Sequence, residues 1–228
     1  MRNFTKPVTA TFLLAVACTS FGAGGGSMPS SGSMHSTPSL TPEEQARVFY
    51  NDGVTAVEKA DALTADAARQ EDPRKQQKVQ GKAKSAYTGA LKKFIRATGL
   101  SPSMYQAWNY VGYTNRKLGN HQAALDAYDR ALTLKPGYPE AIEYRGHAYL
   151  GLNRLPEAKE AYLTLFSSNR KLAAQLLTGM QAWVGEHRGN ASGVDGAALE
   201  AFASWVSERS TIAGQTASLT REGANAAW

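Results

Sequence analysis

Residues 105–138, YQAWNYVGYTNRKLGNHQAALDAYDRALTLKPGY, run directly into residues 139–172, PEAIEYRGHAYLGLNRLPEAKEAYLTLFSSNRKL. Laid over one another, the two stretches repeat with a period of 34. Trp108, Gly112, Ala124, Tyr128 and Pro136 recur as Ile142, Gly146, Ala158, Tyr162 and Arg170. The pattern also extends backwards, because Ala90, Phe94, Ala97 and Pro102 stand one period ahead of Ala124, Tyr128, Ala131 and Pro136. Such a period marks a tandem array in which each unit hides its apolar side only against a neighbour. The residue types follow from helix packing. Gly112 and Ala124 are small where two helices of one unit cross, Trp108 and Tyr128 fill the space between them, and Pro136 stops the second helix.

These residues resemble the tetratricopeptide repeat, whose pattern is W-x2-L-G-x2-Y, then A-x3-F, then P. Residues 105–138 carry Trp108, Val111, Gly112, Ala124, Tyr128, Ala131 and Pro136 in register and depart at Asn115, where tyrosine is usual. Residues 139–172 keep Gly146, Tyr149, Ala158 and Tyr162 but have Arg145 where leucine is usual, and no closing proline. An earlier copy opens at Phe49 and Gly53 and closes at Ala90, Phe94, Ala97 and Pro102. Its Gly53 and Ala90 are 37 positions apart where Gly112 and Ala124 are 12 apart, so it holds an insertion of 25 residues. The resemblance implies an all-α fold: a helical-hairpin solenoid of about three tetratricopeptide-type repeats (42–104, 105–138 and 139–172) plus a capping hairpin over 173–210. The insertion is expected to lengthen both helices of the first hairpin. Asp52 and Arg145 stand where an apolar group should face the core, so either they pair with nearby charges or those repeats are loosely packed.

Both ends carry signals of their own. Thr41-Pro42-Glu43-Glu44 combines an N-cap, a proline at the first helical position and a glutamate at the third, which predicts a helix from Pro42. After Arg170, the residues Leu172, Leu176, Leu177, Met180 and Val184 recur at helical spacing. Ala198, Leu199, Phe202 and Val206 do so again beyond the Gly189–Gly196 loop. From 211 to 228 the composition predicts a disordered tail.

Residues 1–17 read as a secretory leader, with Arg2 and Lys6 ahead of an apolar run from Val8 to Ala17 that is too short to span a bilayer. Leu14-Ala15-Val16-Ala17-Cys18 resembles the lipobox of bacterial lipoproteins, which implies acylation of Cys18 and, with Thr19 following it, an outer-membrane destination facing the periplasm; otherwise the protein is soluble and periplasmic. Residues 18–41, almost all Gly, Ser, Thr and Pro, read as a flexible linker that holds the domain off a membrane.

Composition excludes much of the chemistry. One cysteine in 228 residues precludes an internal disulfide, and 25 Lys+Arg against 19 Asp+Glu give a mild formal charge of +6, unlike a nucleic-acid arm. Phosphate-loop, dinucleotide, zinc-protease and nucleophile-elbow motifs are absent from the sequence. We therefore expect no catalytic residue, metal or cofactor, and no nucleic-acid partner. The resemblance implies a concave partner groove built from the first helix of each repeat. Arg47, Tyr50, Val54 and Val57 come from the first; Gln106, Asn109, Tyr113 and Arg116 from the second; Glu140, Glu143, His147 and Leu150 from the third. This lining lacks the lysine and asparagine clamp that some family members use for C-terminal carboxylates, and suits an extended peptide or a partner helix. A second candidate surface is basic: Lys75, Lys78, Lys82, Lys84, Lys92 and Lys93, with Arg69, Arg74 and Arg96, face only Glu71 and Asp72 between 69 and 96. The expected role is a non-catalytic adaptor of the cell envelope that binds an envelope protein or peptide, in line with family members that assist assembly of envelope complexes. Two alternatives are a self-associating structural protein and a divergent hydrolase or transferase using His147 with Glu143.

Overall fold

Every hairpin in this chain begins with a helix start written into the sequence or ends at a turn that the backbone tolerates. The computed structural model describes residues 40–189 and 193–225, the side chains as far as 215. The leader, Cys18, the linker up to Ser39 and the loop residues 190–192 lie outside the described residues. Among the described residues eight helices follow in order: α1 (Pro42–Ala67), α2 (Pro73–Leu100), α3 (Tyr105–Lys117), α4 (His121–Leu134), α5 (Pro139–Gly151), α6 (Leu155–Ser168), α7 (Arg170–Gly189) and α8 (Gly196–Asn225). Thr41 caps α1 through a capping box. Its hydroxyl accepts from the Glu44 amide at 3.2 Å, and its own amide donates to the Glu44 carboxylate at 2.8 Å. Asp72 caps α2 in the same spirit, accepting from the Arg74 amide at 2.9 Å with Pro73 at the first helical position.

Consecutive helices pair as antiparallel hairpins, α1 with α2, α3 with α4, α5 with α6 and α7 with α8, and each hairpin stacks on the next. The first helices also touch their successors, α1 with α3, α3 with α5 and α5 with α7, so they share one inner face. The insertion lengthens both helices of the first hairpin, to 26 and 28 residues against 13 and 14 in the next two hairpins. The turn between α3 and α4 uses Gly119 at φ +87, and one period later Asn153 adopts φ 57 between α5 and α6. Asparagine is among the few side chains that enter this region readily, and Asn153 Nδ2 is further held by the Gly193 carbonyl at 3.2 Å.

The small residues of the repeat sit where the crossing needs them. A Cβ on Gly53 would lie 2.6 Å from the Phe94 ring, and one on Gly112 would clash with the edge of the Tyr128 ring. Phe94 and Tyr128 are fully buried as a result, and so are Ala90, Ala124 and Ala158. Gly146 departs from its counterparts. Its opposing group is not Tyr162 but Leu176 of α7, 2.6 Å from the notional Cβ, with the Ala161 Cβ at 3.3 Å. Tyr162 instead turns toward the capping hairpin, 5.4 Å edge-on to Trp205. Both out-of-pattern charges are paired: Arg145 donates to Asp129 at 2.7 Å, and Lys93 meets Asp52 at 3.5 Å.

At the C-terminal end the chain departs from the expected disordered tail: residues 211–225 continue α8 as helix. Ala213 packs at the edge of the last core cluster, beneath which Leu176, Met180 and Phe202 are buried. Trp228 lies outside the described residues.

Candidate functional site on the inner face

On α1, Tyr50, Val54, Val57 and Asp61 follow one another at spacings of four, three and four, which holds them on one stripe facing α3. Tyr50 lies edge-on to Tyr110 at 5.7 Å and to Phe94 at 6.0 Å, and Tyr110 stacks on Phe94 at 4.9 Å. Val57 and Leu150 are buried, Val54 packs against the first core cluster, and all three are packing groups rather than lining. Arg47 is exposed at the start of the stripe. Together with Glu43, Tyr50, Asn51, Ser101, Met104 and Gln106 it lines a recess of about 400 Å³ between α1 and the α2–α3 connection.

Farther along α1, Asp61 gathers a network. The Tyr113 hydroxyl donates to it, 2.8 Å from both carboxylate oxygens; the Tyr87 hydroxyl donates to Oδ1; and Lys117 Nζ stands 3.5 Å away. Burial, reinforced by the Asp61 carboxylate, pushes both phenols well above their ordinary range, so each remains a proton donor at every physiological pH. Tyr113 is only 8% exposed. It therefore ties α3 to α1 and is not free to meet a ligand, contrary to its expected place in the groove.

The second and third hairpins meet through a polar strip. Arg116 lies over the rings of Tyr113 and Tyr144, 5.3 and 5.6 Å from their centroids, beside the buried Tyr128. Glu143 is 5% exposed and pairs with His147 at 2.9 Å, one turn along α5, while the His147 ring occupies the space that Gly179 of α7 leaves by lacking a Cβ. That packing makes the pair a joint between α5 and α7. Asn109 is 2% exposed with its Oδ1 unpaired, and the buried Oε2 of Glu140 also has no partner, so the face carries two acceptors that the fold does not satisfy. Of the expected lining, Arg47, Tyr50, Gln106, Arg116, Glu140 and His147 reach solvent at least in part; Asn109, Tyr113 and Glu143 do not.

Three groups in this site escaped the sequence reading. Asp61 lies in the insertion and has no counterpart one period later, although it does continue the Tyr50–Val54–Val57 stripe. Tyr110 and Tyr144 are one period apart and so were available from the repeat itself. Among the described residues no group of three or more His, Cys, Asp or Glu is placed to hold a metal ion.

Tetratricopeptide-repeat family models match residues 81–139 and residues 116–180. Over residues 81–180 the chain is similar to tetratricopeptide-repeat proteins. Tetratricopeptide repeats are typically scaffolds for protein–protein interaction and are generally non-catalytic. The chain is also similar to solved structures of MamA. One crystal structure of MamA is 17% identical, with a TM-score of 0.40 over 78% of this chain and 99% of that one. A crystal structure of MamA protein is 20% identical, with a TM-score of 0.38 over 74% and 95%, and a MamA RS-1 ArsTM double mutant is 19% identical, with a TM-score of 0.36 over 74% and 97%.

Proposed function

We propose that the chain is a non-catalytic adaptor of the bacterial cell envelope that holds an extended peptide or partner helix along the inner face of α1, α3 and α5. The observation that carries this reading is the recess where Arg47 and Gln106, from two different repeats, face one another beside Tyr50, with no bond of their own among the described residues. Side chains left unbonded at such a meeting point can exchange water for a partner at little cost, and tyrosine supplies contact area with few rotors to freeze. The envelope location rests on the leader and lipobox of residues 1–18, with Cys18 as the acylated residue.

A photo-crosslinking residue placed at Gln106 in cells tests the binding face, with the same residue at Thr133, on the outer helix α4, as the control. One discrete adduct is expected at 106 and none at 133, and Arg47→Ala should abolish it while the melting temperature stays unchanged. Equal labelling at both positions, or an adduct indifferent to Arg47, would discard the groove. Membrane fractionation and mass spectrometry of the Cys18 peptide test the location independently, an unmodified cysteine in a soluble fraction counting against the anchor.

A further inference from the structure

Helix α2 contains eight cations and no acidic residue in its 28 positions. The core side is fixed by Ala83, Tyr87, Ala90, Phe94 and Ala97. Away from it, Lys78, Lys82, Ser85, Gly89, Lys92 and Arg96 follow at alternating spacings of four and three, a single solvent-facing stripe that Arg74 and Lys75 extend at the N-terminal end. From Arg74 to Arg96 it runs about 33 Å at the helical rise. The neighbouring acids do not neutralise it. Lys93 is tied to Asp52, whereas Lys75, Lys78, Lys82 and Lys92 have no ion pair among the described residues. The middle of the stripe is open: a Cβ on Gly89 or on nearby Gly81 would meet nothing within 4 Å.

The geometry points to α2 as a docking surface for anionic lipid head groups, laid along a membrane on its basic stripe. The composition of the stripe selects this occupant. Specific protein interfaces concentrate aromatic and apolar anchors at their centre and are depleted in lysine, and single-stranded nucleic acid needs aromatic platforms for its bases; this stripe has lysines and, at its centre, serine and glycine. Lysine is a point charge on a flexible stem that follows mobile phosphates without a fixed fork geometry. A polybasic surface of this kind is also the partner signal that a single acyl site needs for stable anchorage, although the inference does not require Cys18 to be acylated.

The test uses the full chain carrying Cys18→Ser, so that no acyl group contributes, and sedimentation with vesicles of phosphatidylcholine alone or with one third phosphatidylglycerol. Binding is expected to the anionic vesicles only and to weaken steeply between 50 and 300 mM salt, about the range over which the Debye length falls below 10 Å. Each neutralised cation should lower the partition coefficient roughly five-fold, so Lys75→Gln, Lys78→Gln, Lys82→Gln and Lys92→Gln combined should lower it several hundred-fold with the circular dichroism unchanged. A fluorophore on Ser85→Cys should shift on vesicle addition, and one on Thr133→Cys should not. Equal binding to neutral vesicles, retained binding in the fourfold variant, or a probe response at 133 in place of 85 would overturn the proposal; so would tighter binding to duplex DNA than to the anionic vesicles. None of these readings depends on the inner groove, so its failure and this one are separable.

Discussion

Gly112 and Gly89 show how the same residue type does opposite work in one protein. A methyl group at 112 has to clash with the edge of the fully buried Tyr128 ring, which is packed between α3 and α4. Gly112→Ala should lower the unfolding free energy by about 1–3 kcal/mol, the range for overpacking. Gly89→Ala meets open space on a helix flank and should raise it by about 0.5–1 kcal/mol. Urea titrations with unchanged slopes check both, and equal effects would mean that the crossing at Gly112 has room for a methyl group. Tyr113→Phe removes only the hydroxyl that donates to Asp61 and should cost about 1.5–3 kcal/mol, as for a bond to a charged acceptor. A double-mutant cycle with Asp61→Ala should return a coupling of the same sign. His121 gives a pH signature. Its ring fills the space beside Gly151, and desolvation, followed by the nearby Arg116 charge, lowers its pKa below the ordinary 6.5. The unfolded chain then takes up the proton first, so stability should fall as pH drops through 6.5 toward the folded value and level off below it. In His121→Gln that portion of the pH dependence should vanish from thermal melts, while a full-size fall in both proteins would assign it elsewhere.

Among the helices, α1 and α2 are unlike the rest because their outer ends have only each other to lean on. No described side-chain bond joins residues 65–82 to α3, whereas Asp61 and Tyr87 are clasped by Tyr113 and Lys117. Amides of those outer ends should exchange with deuterium orders of magnitude faster than those between Tyr87 and Ala97, since local opening there breaks few buried contacts. Uniform protection along α2 would show that something else braces the tip. The helices themselves were largely legible. Thr41, Pro42 and Glu44 announce α1, and the period set by Gly112, Ala124 and Tyr128 delivers the hairpins, because a glycine at a crossing is demanded by sterics and leaves a trace at fixed spacing. The extent of α8 was not legible, because Ala213 meets a core assembled from α5 to α8, and composition carries no record of that meeting.

For the molecule as a whole, the architecture followed from repetition, and the site followed from exceptions to it. Positions on the inner face could be listed in advance, yet whether Tyr113 would meet solvent depended on Asp61, a residue peculiar to the long first hairpin. Burial is a property of neighbours, and those neighbours lie 52 residues apart in the case of Tyr113 and Asp61. In the same way Glu143 pairs with His147, whose ring fills the space beside Gly179.

The choice of Leu176 as the group opposite Gly146 has a practical outcome. The third repeat borrows a side chain from the hairpin that follows it, so severing the chain at the 172/173 border would leave a leucine-sized hole in the upstream piece and strand that leucine, uncovered, on the downstream one. Neither fragment should survive alone in solution, but the two expressed side by side should find each other and knit, and this is where a split reporter would have its natural seam.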